Sequence, residues 1–134
     1  GSFGQYPSTD SKGADMFVAM ALGASLNNPA EAFGGSDAFA PESYDAAALI
    51  MLAMQAAGST DSAAVKDHLM AVANAPGEQI MPGELGKALD MIKAGKEIDY
   101  VGATAVELIG PGESAGNYRE IEIKDGAVAT VAFR

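Results

Sequence analysis

A mixed α/β fold, with about four helices followed by a small, largely antiparallel set of strands, is what this chain predicts. Three observations carry the prediction. Apolar residues recur at helical spacing in separate segments up to about residue 95; after Tyr100 the period drops to two residues; and Asp125-Gly126 sits between two alternating segments, a strong signal for a tight hairpin.

Residues 1–11 are small and polar around Phe3 and Tyr6 and read as a short extended segment, with Pro7 turning Tyr6 away from helical dihedrals. Asp10 or Ser11 can cap a first helix over about 13–26, which puts Phe17, Met20 and Ala24 on one face. Asn27-Asn28-Pro29 stops it, and 29–38 is a Gly-rich connection with room for one helical turn near Glu31. The central helix takes Ser43 as its N-cap, carries Asp45 in its first turn and ends at Gly58. From Ala46 to Ala57 its only polar side chain is Gln55. Such a helix is apolar nearly all round and needs cover on several sides. A chain of 134 residues offers little mass for that cover, so the sequence reads as a piece of something larger.

Ser59 or Thr60 caps a third helix to about Ala73, with Val65, Leu69 and Val72 as its stripe. A fourth begins after Pro82, where Leu85, Leu89 and Ile92 face one way, Lys87, Asp90 and Lys93 the other, and Gly95 closes it. Ala103–Ile109 then reads as a strand, Gly110–Gly116 as a loop, and Tyr118–Lys124 and Ala127–Phe133 as the hairpin. A two-residue loop at Asp125-Gly126 pairs Ile123 with Val128, Ile121 with Thr130 and Tyr118 with Phe133.

The net charge of −10 disfavours duplex nucleic acid and anionic membranes as partners. With no cysteine there is no disulfide framework and no thiolate metal site, and one histidine makes a zinc site unusual. No run of about 18 apolar residues is present to span a membrane. The acidic residues are scattered, none forms a calcium loop, and no cofactor is implied.

One catalytic motif is tempting. Gly112-Glu113-Ser114-Ala115-Gly116 matches the G-x-S-x-G elbow, which needs a strand before the serine and a helix after it. Here a strand follows instead, and His68 lies far upstream, so the Ser114 hydroxyl has no base to activate it. A serine hydrolase is therefore the remote alternative, and no enzymatic activity is expected. His68 reads as a boundary residue of the third helix, and the seven methionines as core filling.

Several runs carry a resemblance. Ser43-Tyr44-Asp45-Ala46-Ala47-Ala48-Leu49 is followed by Ala56-Ala57-Gly58-Ser59-Thr60-Asp61, then by Pro82-Gly83-Glu84-Leu85-Gly86-Lys87-Ala88-Leu89 and Gly95-Lys96-Glu97-Ile98-Asp99-Tyr100-Val101-Gly102-Ala103. In this order and spacing they resemble the C-terminal part of the extracytoplasmic solute-binding proteins of ATP-driven branched-chain amino-acid importers, the Leu/Ile/Val type. The resemblance covers about 36–134 well and 1–35 loosely.

It implies a bilobed, type I periplasmic-binding-protein-like parent of which residues 1–134 are a single C-terminal fragment. Residues 1–102 would be the mainly helical part on the first lobe, and 103–134 the terminal strands near the hinge and second lobe. It also implies an amino-acid-type ligand, a membrane permease as partner, and a periplasmic or extracytoplasmic location with the signal peptide upstream of Gly1. Alone, the fragment would be prone to self-association. A ligand-sensing receptor ectodomain of the same fold is the alternative. In the related proteins an aromatic residue five positions before the tyrosine of the central helix lines the pocket for the ligand's side chain. Phe39 and Tyr44 have that spacing, which implies Phe39 as an apolar wall and Tyr44 at the cleft edge, unless both rings simply pack. The family's groups for the ligand's α-amino and α-carboxylate come mainly from segments outside this chain.

Overall fold

The computed structural model describes residues 2–8, 10–23, 39–110 and 112–134. Four helices lie among them: α1 (Lys12–Gly23), α2 (Ala40–Ala57), α3 (Ser62–Ala73) and α4 (Leu85–Lys93). Seven strands accompany them: β1 (Ser2–Pro7), β2 (Glu78–Ile80), β3 (Ile98–Tyr100), β4 (Leu108–Gly110), β5 (Glu113–Ser114), β6 (Tyr118–Lys124) and β7 (Ala127–Phe133). The mixed α/β class expected from the periodicities is the one observed. The expected end of the first helix beyond Gly23 and the connection over 29–38 lie outside the described residues.

The core is built by α2, α3 and α4 against the parallel pair β2–β3. Leu52 and Ala53 of α2, Val65 and Val72 of α3, Ala88 of α4, and Ile80, Ile98 and Tyr100 of the strands form one buried cluster. β2 and β3 are joined through α4, so this is a β–α–β unit, the connection that parallel strands require. Burying a side chain such as Leu52 contributes on the order of 2 kcal/mol. The expected cover of α2 on several sides is met on one side only. Ile50 and Met51 remain 46% and 43% exposed on its opposite face.

β1, β6 and β7 form a separate antiparallel sheet in that order. None of its residues belongs to the buried cluster. Register follows the sequence at Ile123–Val128 and Ile121–Thr130 but not at Tyr118–Phe133. Ile121 opposes Thr130 while Glu120 opposes Ala132, so Val131 is an extra residue, and beyond it Phe133 faces Arg119. Tyr118 therefore exchanges hydrogen bonds with Arg134 (3.0 and 2.8 Å).

Other boundaries differ from expectation for identifiable reasons. α2 starts a turn before Ser43, because Pro41 stands in the first turn, where no backbone N–H is needed. Ser43 sits inside the helix and its hydroxyl donates to the Phe39 carbonyl (2.8 Å). α3 is capped by Asp61, whose carboxylate accepts from the N–H groups of Ala63 and Ala64 (both 3.1 Å); Ser59 supports it by accepting from the Asp61 N–H (3.0 Å). The Ser11 hydroxyl accepts from the Ala14 N–H (3.2 Å), as expected of a first-helix cap. The strand expected over Ala103–Ile109 shrinks to Leu108–Gly110, since 102–105 forms a turn held by side-chain bonds to Asp45.

Candidate ligand-binding cleft

Asp45 is the residue on which the cleft is assembled. It is 2% exposed and looks out from the first turns of α2 at the chain after β3. Its Oδ1 accepts from the Tyr100 hydroxyl (2.9 Å) and the Ala103 N–H (2.8 Å). Its Oδ2 accepts from the Thr104 N–H (2.8 Å) and the Thr104 hydroxyl (2.7 Å). Four donors around one carboxylate satisfy the requirement that a buried charge be fully hydrogen-bonded. Burial, and then the neighbouring Asp45 charge, push the Tyr100 hydroxyl well above its usual pKa of 10.0, so it stays a donor.

Gly102 makes the close approach possible. Its φ of +62° suits glycine, and a Cβ there would collide with the Asp45 carboxylate and the Tyr100 ring. On its other side the Gly102 carbonyl lies against Gly13, where a Cβ would again overlap it. Thus α1 is seated on the same turn that Asp45 holds.

Where β1, α1, the start of α2 and this turn converge, the surface opens into a hollow of about 330 Å³. Tyr6 and Pro7 come from β1, Asp15 and Phe17 from α1, Phe39 and Glu42 from the approach to α2 and its first turn. Two further hollows, of about 390 and 180 Å³, also take Glu42 and Thr104 into their walls and extend toward Ser114. The first two fall in the size range of small-molecule sites.

Phe39 stands at the mouth. Its ring is 59% exposed and lines two of the three hollows. Its backbone is left-handed, with φ of 63°, a conformation that bulky side chains seldom adopt. Tyr44 is placed elsewhere. Its ring packs on Phe17 with centroids 5.4 Å apart, and its hydroxyl accepts from the Gly83 N–H (3.1 Å), so it joins α1, α2 and the approach to α4 and lines none of these hollows.

Glu42 escaped the sequence reading. Its Oε2 is buried from solvent and has no hydrogen-bond partner among the described residues. The available signal was its position, a carboxylate three residues after Phe39 in an otherwise apolar approach to the helix. Asp45 was read as a first-turn charge suiting the helix dipole; its partners lie 55 to 59 residues away, beyond any local pattern.

Ser114 sits in β5, and its hydroxyl donates to the Ala115 carbonyl (3.0 Å). The next element is β6 rather than the helix of a nucleophile elbow. The His68 ring bonds to the Ala64 carbonyl on its own helix (2.8 Å), with Nδ1 as the donor in that tautomer.

No family model matches the chain, and no solved structure matches it. Over 93 residues it is 36% identical to the chemotactic signal transduction system substrate-binding protein BasB of Halobacterium salinarum. The match takes in 69% of this chain and 22% of that protein, so the chain spans about a fifth of the curated relative. The likeness is to part of a substrate-binding protein, and it supports a binding-protein type for this chain.

Proposed function

We propose that this chain is the C-terminal portion of an extracytoplasmic solute-binding protein that takes an amino-acid-type ligand and delivers it to the membrane permease of an ATP-driven importer. The observation that carries the reading is the 93-residue likeness to part of a substrate-binding protein. Its support in the fold is the position of Phe39, at the mouth of a cleft of ligand size whose other walls come from separate elements. In the full protein this surface is one side of a cleft between two lobes. Ligand shifts the open–closed equilibrium by preferring the closed form, and no step of catalysis is involved.

A second reading has its own support. The relative's printed role is chemotactic signal transduction, so the same binding device can report a solute to a receptor instead of feeding a permease. Uptake of labelled amino acid and tactic response, measured in a strain lacking the full gene, separate the two. Loss of uptake alone supports the importer reading, and loss of taxis alone the sensory one. Binding itself is tested by titrating the full gene product with a panel of amino acids in a calorimeter. Measurable heats that Phe39→Ala abolishes support the proposal; heats unchanged by that substitution remove Phe39 from the site.

A further inference from the structure

Thr104 lines all three hollows, so its placement sets the shape of the cleft. From the core side its N–H and its hydroxyl donate to the Asp45 carboxylate (2.8 and 2.7 Å). From the other side its carbonyl accepts from Asn117 Nδ2 (2.9 Å). Asn117 lies between β5 and β6, and its own carbonyl accepts from the N–H of Ser8, the residue after β1 (3.2 Å). Two residues earlier the Ala115 N–H donates to the Glu107 carbonyl, next to β4 (3.2 Å). Between them Gly116 lets the Tyr118 ring lie close, where a Cβ would overlap it. Asn117 thus bonds through its backbone to the end of the antiparallel sheet and through its side chain to the turn that Asp45 fixes.

That link carries weight because the sheet gives no residue to the buried cluster, so the core does not fix its place by burial. Yet β1 supplies Tyr6 and Pro7 to the wall of the 330 Å³ hollow, and Pro7 and Asn117 border the smallest one alongside Phe39. A binding surface works only when directional contacts behind it hold its walls in register. We propose that Asn117 is a positioning residue of the cleft: by holding the Thr104 carbonyl it sets the β1 wall, Tyr6 and Pro7, against the wall that Asp45 organises. Its consequence for binding rests on the solute-binding reading; its hold on the sheet does not.

The test reads geometry and binding separately. The chain has no cysteine, so nitroxide labels attach only at Lys66→Cys on α3 and Lys124→Cys on β6, where both lysines are exposed. Pulsed dipolar spectroscopy, with labelled chain diluted in unlabelled chain, then gives the distance distribution between core and sheet. A narrow distribution with Asn117 intact that broadens in Asn117→Ala and in Asn117→Asp, which keeps the shape and removes the donor, while the far-UV helical signal is retained, is the expected result. An unchanged width in both variants overturns the proposal, and so does broadening accompanied by loss of the helical signal, which assigns Asn117 to general stability. Binding is read by calorimetric titration of the full gene product with L-leucine and L-phenylalanine. Asn117→Ala is expected to weaken binding about threefold to tenfold, the scale of one hydrogen bond. Equal affinity in variant and wild type overturns the positioning role and leaves the binding reading standing. Absence of heat with the wild type counts against the amino-acid reading instead, and the label widths still decide whether Asn117 holds the wall.

Discussion

Asp45 and Tyr100 show how much of this fold hangs on single side chains. Replacing the Asp45 carboxylate by an amide presents an NH2 group to donors it cannot accept from, so Asp45→Asn is expected to destabilise the fold by about 3 kcal/mol, measurable by urea unfolding. The Tyr100 hydroxyl adds a pH dependence of known sign. Its folded pKa lies above the unfolded value of 10.0, raised by burial and then by Asp45, so its contribution is complete below about pH 10. Above that pH the unfolded chain ionises and the folded one resists, and stability falls by up to about 1.4 kcal/mol per pH unit. Tyr100→Phe should lose stability at neutral pH yet flatten that alkaline limb, as unfolding followed across pH 8 to 11 would reveal. Phe39 is the opposite case, a residue held in place against its own preference. Since a left-handed conformation costs a side chain about 1–2 kcal/mol, Phe39→Gly should leave stability unchanged or raise it while removing the cleft wall. A thermal melt paired with a ligand titration checks both halves.

Elements were legible where their pattern is local. The stripes of α3 and α4 and the alternation of β6 and β7 need only their own residues to be recognised, and Asp125-Gly126 announces the turn between the two strands. β2 and β3 are three residues each, too short to show a period, and are strands because they lie beside one another across α4. β4 depends on a distant pin: the Asn74 side chain donates to the Leu108 carbonyl (2.8 Å) and accepts from the Leu108 N–H (3.0 Å), copying one rung of a strand pair. Asn74→Ala should cost about 1–3 kcal/mol and speed hydrogen exchange at Leu108 well before the α2 amides are affected. Of the candidate site, Phe39 was reached through a resemblance. Asp45 was not singled out as a pin of the cleft, because its partners lie 55 to 59 residues along the chain.

At the scale of the whole molecule the apolar surface is unevenly shared. Val18 and Leu22 on α1, Ile50 and Met51 on α2, and Val128, Val131 and Phe133 on β7 are all largely exposed. Scattered apolar residues are ordinary on a surface, but α2 presents Ala46, Ala47, Ile50 and Met51 together. The 134-residue chain is therefore expected to self-associate or to unfold with poor cooperativity. Sedimentation velocity and scanning calorimetry test this, and a monomer with one sharp transition would count against it. Ile50→Glu with Met51→Lys should restore the monomer if that face is responsible.

The pairing of β1 with β6 sets Ser2 beside Ile123, across nearly the whole sequence. The β6–β7 hairpin can form as soon as its turn is made, whereas β1 can join it only after the intervening chain has been brought round, a loop whose closure is entropically unfavourable. The β–α–β core needs neither. Assembly should therefore run in two stages, with the helical core and the hairpin early and the docking of β1 late. Tyr6 and Pro7 reach the cleft only with that docking, so the binding surface is completed last, after the fold that supports it already exists.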